Sequence, residues 1–451
     1  MHTSGHQTEH PLQLRVETLL EIARRGDAEN TDEIVDYLKS FDQIVLRGAG
    51  KFGTAFGEFL LRNGIPAAHL VYWDIRANEL KSLNNIPVHL PFSFIGSTAN
   101  TLAINCIPNG SLSGSAGRKE FEDAGYGNYL SGMALFEALM CDIRPETGFR
   151  PEVCIKTTFC NWCACKRLPS MLYRQCNENA PTAVTDKLVF TVATFAISQK
   201  CTLQCTHCGQ YINHYAAEER INFPLQRVLT DIDRVFAAVD AIGYVSIIGG
   251  EPFLHPALNE IVGAILAKPN FGVLGITTNG VCDISDEHLQ FMKNGRTRII
   301  FSDYTVALSE KQKKLFDKNV ERVAAAGISY TVGQPLWATP PSLIDQQFPA
   351  EIRTAMKAGC NSTETCKTIQ NGVYYPCSTT AGVGSHHLAD YPTDWVVIDQ
   401  THSAAELRAS IQRVDNRPYY ESCNHCAEGG EPLAIPGGQG IGKRYIHIGK
   451  R

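Results

Sequence analysis

The residues best suited to chemistry are three cysteines on one short stretch, Cys201-Thr-Leu-Gln-Cys205-Thr-His-Cys208. Three thiolates this close suit an iron-sulfur cluster. A closed zinc site takes four ligands and usually builds them from two separated pairs, whereas a four-iron cube held by three thiolates leaves one iron open to a substrate or cofactor. The competing assignment is a zinc ion completed by His207 or His214. Of sixteen cysteines in all, five more lie in Cys154 to Cys176 and five in Cys360 to Cys426. In a reducing cytosol such usage points to metal sites or redox chemistry rather than to disulfide staples. Cys106, Cys141 and Cys282 stand alone and read as small buried hydrophobes.

Something must hold the triplet, and the pattern supplies a strand directly before it. From Leu188 apolar strands (Leu188 to Ile197, Tyr244 to Ile248, Val273 to Thr277, Arg298 to Phe301, Ser329 to Val332) alternate with helical segments (Leu225 to Ala241, Leu258 to Leu266, Asp286 to Lys293, Glu310 to Ala326). That repetition predicts a parallel sheet covered by helices, in a unit running from 186 to 340. Two polar strand ends follow the triplet: Gly249-Gly250-Glu251-Pro252 and Thr277-Thr278-Asn279-Gly280.

The spacing Cys-x3-Cys-x2-Cys, with the ring of His207 before the third cysteine, resembles the radical SAM superfamily, and so do the two strand ends in this order. The resemblance covers about residues 188 to 333. It implies a partial (β/α) barrel with the cluster at the mouth formed by the strand ends, Cys201, Cys205 and Cys208 as ligands and His207 as packing near the adenine. It further implies that Gly249, Gly250, Glu251 and Pro252 hold S-adenosylmethionine, with Thr278 and Asn279 beside it. Flat glycine backbone would let the methionine end approach, and a carbonyl or carboxylate would accept from its ammonium. The implied chemistry is reductive cleavage of S-adenosylmethionine, the electron coming from a reductase or flavodoxin-type donor, to a 5'-deoxyadenosyl radical that abstracts hydrogen from a substrate. Ser302 and Asp303, at a later strand end, are candidates to touch ribose or substrate, although a strand-end Ser-Asp is more often a turn or helix cap.

Beyond Pro340 the periodicity fails, and residues 341 to 451 read as a small cysteine-rich extension, loop-rich and dependent on a metal. Cys360-x11-Gly372-x4-Cys377 resembles the start of the auxiliary-cluster extension called SPASM, or its shorter twitch form. Full SPASM carries more downstream cysteines, so Cys360, Cys366, Cys377, Cys423 and Cys426 suit one second 4Fe-4S cluster with a spare thiol. Structural zinc is the alternative, because two separated thiol groups also satisfy a tetrahedral ion. The run Cys154-x5-Cys160-x2-Cys163-x-Cys165-x10-Cys176 lies in a connector over 151 to 185 and matches no assigned spacing. A metal site and a packing segment are equally open there.

Residues 1 to 150 form a further expected unit. A strand at Gln43 to Leu46 runs into Gly48-Ala-Gly50-Lys-Phe-Gly53 and then a helical pattern, and a second strand, Ala68 to Trp73, ends in Asp74. This resembles a Rossmann-like nucleotide-binding domain, in which Gly48, Gly50 and Gly53 bring helix amides against a phosphate and Asp74 accepts from a ribose hydroxyl. Gly64-Ile65 before the second strand and Ile86-Pro87-Val88 after it resemble the small Rossmann modules attached to sugar-modifying transferases and to radical SAM proteins of glycan gene clusters. Cys208-Gly-Gln-Tyr-Ile, Gly-Gly-Glu-Pro-Phe-Leu and Ser302-Asp303-Tyr304 also resemble that group, and this resemblance implies a carbohydrate, a sugar nucleotide or a related small metabolite as substrate. A degenerate fold that only docks the catalytic unit is the alternative.

Length and composition bound the rest. A chain of 451 residues suggests about three units at ~150 residues each. Acidic residues number 46 against 41 basic, a formal net charge of −5, so no cationic field draws nucleic acid or an anionic membrane. The polar start and the lack of a long apolar run lead us to expect a cytoplasmic protein with no membrane contact. The fold class expected is α/β throughout. Peptide modification is the second enzymatic reading, and a zinc-stapled nucleotide-binding scaffold without radical chemistry is the non-enzymatic one.

Overall fold

The computed structural model describes residues 30–93, 100–107, 121–132, 135, 139–140, 187–205, 208–333, 343–360, 362–398 and 403–426. Cys154 to Cys176 and His207 lie outside the described residues. The chain forms two compact units whose described parts are 30–140 and 187–426.

In the first unit α1 (Asn30–Lys39) precedes β1 (Gln43–Arg47), α2 (Lys51–Arg62), β2 (Leu70–Trp73), β3 (Ser82–Leu83), β4 (Ile86–His89), β5 (Thr101–Asn105) and β6 (Asn128–Ser131). The sheet order is β3-β4-β2-β1-β5-β6, parallel throughout except between β3 and β4. Both faces of β1 are covered, which is why its sequence is a continuous apolar run rather than an alternation. Ile44 and Leu46 pack on Phe52, Phe56 and Leu60 of α2, while Val45 joins Val71, Trp73 and Phe121 on the other face.

The second unit contains β7 (Val189–Ala196), α3 (Leu225–Ala238), β8 (Ala241–Ile248), α4 (Leu258–Leu266), β9 (Phe271–Thr278), α5 (Asp286–Met292), β10 (Thr297–Ser302), α6 (Glu310–Ala325) and β11 (Ser329–Gly333). These are the expected strand and helix alternations, with ends shifted by a few residues. Strands β7 to β11 lie side by side in chain order and all run parallel. Val228, Ile232 and Val235 place a buried stripe of α3 on the core at helical spacing.

The region beyond 340 departs from the loop-rich expectation. It adds α7 (Ala350–Ala358), β12 (Lys367–Gln370), β13 (Val373–Tyr375), α8 (Ser378–Ser385), β14 (Val396–Val397) and α9 (Ala404–Asp415). Strand β12 pairs parallel with β7, and β13 and β14 follow antiparallel, so the same sheet extends through the tail to eight strands. Ile369, Tyr374, Ile398, Leu407, Ile411 and Tyr420 belong to the same buried core as β7 to β10. The Gly372 amide donates to the buried carboxylate of Asp231 on α3 at 2.8 Å, and Arg408 of α9 pairs with Asp240 at 2.7 Å. Short strands of three or four residues carry too little periodicity to stand out from a loop in sequence. No helix among the described residues is long and apolar enough to cross a membrane.

Candidate active site

Because β7, β8, β9 and β10 are parallel neighbours, their C-terminal ends share one edge of the sheet. The cysteine loop follows β7, Gly249–Pro252 follows β8, Thr278–Asn279 closes β9 and Ser302-Asp303-Tyr304 closes β10. The first two loops are stitched by backbone hydrogen bonds: Gly250 N–H donates to Ser198 O at 2.8 Å and Glu251 N–H to Lys200 O at 2.7 Å. A Cβ on Gly250 would stand 2.2 Å from Lys200 O and 2.8 Å from the Cys201 Cβ. The bare Cβ side of this glycine is therefore turned to the cysteine loop, which a side chain here would displace.

Glu251 is also turned inward. It is 0% exposed, and its carboxylate accepts from Thr278 Oγ1 at 2.8 Å, Asn279 N–H at 2.8 Å and Phe253 N–H at 3.2 Å. Burial pushes its pKa up to about 7, against the lowering pull of the Asn279, Thr278 and Phe253 donors. The carboxylate thus clamps the end of β9 to the end of β8 and does not face a ligand's ammonium. Pro252, also buried, starts the short turn that carries Phe253. Asn279 continues the scaffold: its Oδ1 accepts from Thr202 Oγ1 at 3.2 Å and Val281 N–H at 2.8 Å, and its Nδ2 lies 3.6 Å from Cys201 Sγ. Buried Asn319 of α6 holds the same loop from behind, donating to Gly280 O at 3.0 Å and Cys282 O at 2.7 Å.

The thiols share an apolar pocket with Leu203, Val281, Tyr304 and Leu308. Among the described residues no three His, Cys, Asp or Glu side chains converge tightly enough to hold a single metal ion. A four-iron cube asks instead for thiolates on separate irons, with donors aimed at their sulfurs. That fits what is present. Cys201 Sγ accepts from Leu203 N–H at 3.4 Å, and Cys208 Sγ from the amides of Ile212, Gln210 and Tyr211. Burial pushes the Cys201 thiol up to about 12 and raises that of Cys208, so ionisation needs a bound cation.

In the sequence Tyr304 counts only as part of the Ser302-Asp303-Tyr304 pattern, with no role of its own. It is 8% exposed, its hydroxyl receives that of Ser302, and its pKa is raised by burial and then by the neighbouring thiols of Cys205, Cys208 and Cys201. Its position immediately after Ser302-Asp303 was the available signal. Asp303 instead takes the capping role, accepting from Thr305 N–H at 2.9 Å and Thr305 Oγ1 at 2.6 Å.

In the tail, Cys377, Cys423 and Cys426 come within electrostatic reach of Cys360, and Cys423 of both Cys377 and Cys426. Burial pushes Cys377 up to about 12 and Cys423 up to about 11. Cys366 closes a helical turn through its amide, which donates to Ser362 O at 2.9 Å. His425, between the last two cysteines, has both ring nitrogens engaged, by Leu343 O at 2.8 Å and Tyr391 Oη at 3.2 Å.

The first unit presents a closed turn. Asp74 Oδ2 accepts from Ala49 N–H at 2.8 Å and Arg76 Nη2 at 3.0 Å, and Oδ1 from Arg76 N–H and Nε, both at 2.9 Å. The Arg76 hydrogen bonds hold the Asp74 pKa down at about 2. With four donors on two oxygens, Asp74 has no lone pair left for a ribose hydroxyl, so the residues present do not fit the ribose role expected of it. Gly48 has φ +101°, and a Cβ on Gly53 would stand 1.9 Å from Gly48 O, whereas one on Gly50 would meet nothing within 4 Å.

Residues 195–326 match the family described as the Radical SAM superfamily. This chain carries a radical SAM enzyme domain. Curated relatives include GTP 3',8-cyclase of Chlorobaculum tepidum, 30% identical over 102 residues, which are 22% of this chain and 29% of that protein. The antilisterial bacteriocin subtilosin biosynthesis protein AlbA of Bacillus subtilis is 30% identical over 108 residues, 24% of this chain and 22% of that protein. The chain thus spans less than a third of either relative. Among solved structures, BtrN in complex with AdoMet and 2-DOIA aligns with a TM-score of 0.35 and 16% identity, covering 54% of this chain and 94% of BtrN.

Proposed function

We propose that this radical SAM enzyme acts on a carbohydrate, a sugar nucleotide or a related small metabolite, with Cys201, Cys205 and Cys208 holding its 4Fe-4S cluster. The observation that carries the reading is the stitched strand edge: Gly250 and Glu251 fix the cysteine loop through Ser198 and Lys200, and Asn279 reaches the Cys201 sulfur. When bound, the cluster and S-adenosylmethionine would supply a 5'-deoxyadenosyl radical for hydrogen abstraction. The chain's own part is positional. Glu251 locks two strand ends together, Asn279 and the 210–212 amides direct donors at sulfur, and Leu203, Val281, Tyr304 and Leu308 keep water from the thiols. In this reading the backbone of Gly249 and Gly250, with Pro252, Thr278 and Asn279, forms the methionine-side wall, with Glu251 a positioning residue behind it.

The tail reads as a twitch-like extension in which Cys360, Cys377, Cys423 and Cys426 hold a second 4Fe-4S cluster. The adjacent Thr380 and Thr379 face Cys377 and Cys426 respectively, and Thr380 also meets Ser422 beside Cys423, which supports that set together with the electrostatic influence of Cys360. The first unit reads as Rossmann-like. Its parallel strands run in the order β4-β2-β1-β5-β6, the arrangement of a mononucleotide-binding half (β4-β2-β1) with two further strands. Its glycine turn is kept, but Arg76 has taken the acid that would read a ribose.

Relatives named for GTP keep a small, nucleotide-linked substrate first. AlbA, named for bacteriocin biosynthesis, favours peptide modification as the second reading. The test is product analysis under reducing, oxygen-free conditions with sugar nucleotides and, separately, short peptides. Substrate-dependent consumption of a sugar nucleotide together with 5'-deoxyadenosine is expected; turnover of peptides alone would replace the first reading by the second. Zinc in place of iron and sulfide in anaerobically prepared protein would remove both.

A further inference from the structure

The tail thiols are served by side-chain hydroxyls. Cys377 is the N-cap of α8, and its Sγ faces two groups of one residue, the Thr380 N–H at 3.4 Å and the Thr380 hydroxyl at 3.2 Å. Thr380 is 0% exposed, and its hydroxyl also lies 2.8 Å from Ser422 Oγ. Ser422 is fixed in turn, its N–H donating at 2.7 Å to Asp394, a fully buried carboxylate paired with Arg417 at 2.5 Å. The preceding residue, Thr379, directs its hydroxyl at Cys426 Sγ from 4.0 Å.

A thiolate has no proton to give. Once Cys377 is ionised, the chain of hydroxyls can run only one way: Ser422 O–H to Thr380 Oγ1, and Thr380 O–H to Cys377 Sγ. Hydrogen bonds to ligating sulfur are among the factors that set the reduction potential of an iron-sulfur centre, because they favour the more negative, reduced state. Resting on the reading that the tail holds a cluster, we propose that Thr380 sets the reduction potential of that cluster by donating to the Cys377 sulfur, with a smaller contribution from Thr379 at Cys426. Thr380 is a positioning residue acting through Cys377. The contrast with Cys208 sharpens the point: its sulfur is served by backbone amides that no side-chain substitution deletes, whereas at Cys377 one of the two donors is a hydroxyl that a single substitution removes while the Thr380 amide stays.

The test uses the full chain with Cys201, Cys205 and Cys208 all replaced by Ala, reconstituted anaerobically with iron and sulfide, so that only the tail contributes. Iron is counted first. A parent without iron overturns the underlying reading, and this proposal with it, before any potential is measured. With iron present, dithionite titration followed by electron paramagnetic resonance gives the midpoint potential. Thr380→Val should keep its iron and shift the midpoint to a more negative value, and Thr380→Ser should restore it. Ser422→Ala breaks the same Thr380–Ser422 hydrogen bond but leaves the donor on sulfur, so it should shift the potential less. An unchanged potential in Thr380→Val, or equal shifts in Thr380→Val and Ser422→Ala, overturns the proposal. Should Thr380→Val lose its iron, Thr379→Val decides: a negative shift supports the assignment and no shift overturns it.

Discussion

Two carboxylates at strand ends perform the same mechanical task in different surroundings. Asp74, after β2, accepts the Ala49 amide from the loop after the neighbouring β1; Glu251, after β8, accepts the Asn279 amide at the end of neighbouring β9. Each clamps adjacent parallel strands at their C-terminal edge. The difference lies in the remaining partners. Asp74 has the Arg76 guanidinium and is held down at about 2, whereas Glu251 is sealed among neutral donors and is pushed up to about 7. A clamp neutralised by its own cation closes the turn it serves, as in the first unit. A clamp with neutral partners fixes a wall and leaves the far side of that wall for other chemistry, as beside the cysteine loop.

Removing the Glu251 clamp should produce the largest stability loss. Glu251→Ala strands two backbone amides and a buried hydroxyl, and unfolding of the cluster-free protein in urea should show a loss of about 3–5 kcal/mol. The pH dependence has a definite sign. A carboxyl whose pKa rises from 4.5 unfolded to about 7 folded binds more protons in the native state, so stability should fall between pH 4.5 and about 7. Glu251→Gln should flatten that slope.

Next in size come the close glycine contacts of the two turns. Gly250→Val places a Cβ 2.2 Å from Lys200 O and should cost about 2–3 kcal/mol, with the apolar pocket of the cysteine loop loosened. Gly53→Ala, 1.9 Å from Gly48 O, should cost a similar amount in the first unit. Gly50→Ala meets nothing within 4 Å and should stay within about 0.5 kcal/mol of the parent, a poorer N-cap being offset by lower entropy of the unfolded chain. Equal losses at all three positions in thermal unfolding would contradict the contact geometry.

A smaller effect is expected from Arg76→Ala. Because Arg76 is half exposed, the ion pair is screened and its loss should cost about 1 kcal/mol. Asp74 has a folded pKa depressed from 3.8 to about 2, so its contribution is complete above pH 3.8 and is lost as pH falls through about 2. The variant should keep only the weaker acid-side dependence left by the two backbone donors, the amides of Ala49 and residue 76. Its slope is opposite in sign to that of Glu251.

These contrasts also show where the sequence speaks clearly. Strands β7 to β11 and the helices between them are long, apolar and regularly spaced, so their period is legible, and the order of the three strand-end motifs is legible with them. What one sequence hides is which way a polar side chain turns. Glu251 and Asp74 read as ligand-facing because a carboxylate at a strand end has that chemistry, yet burial and neighbouring donors point both inward. At Gly250 the missing side chain is required by Lys200 and Cys201 of the neighbouring loop, a packing reason that the sequence does not display. Tyr304 is visible as part of the Ser302-Asp303-Tyr304 pattern, but its packing against the thiols is not, because a single aromatic residue after a strand resembles core. In the tail, three strands of two to four residues fall below the length at which periodicity separates structure from loop, whereas helix α9 carries Leu407, Ile411 and Val414 at helical spacing that the loop-rich reading passed over; the membership of both in the main core becomes visible through Ile369, Leu407 and Ile411.

The central claim, that the loop after β7 carries the catalytic cluster while the tail carries a separate one, is tested most directly by replacing Cys201, Cys205 and Cys208 together with Ala. The reconstituted variant is then assayed for 5'-deoxyadenosine after addition of dithionite and S-adenosylmethionine, with iron counted on the same sample. The account predicts that 5'-deoxyadenosine formation disappears while about four irons per chain remain, the content of one four-iron centre. Undiminished 5'-deoxyadenosine from the triple variant would contradict it.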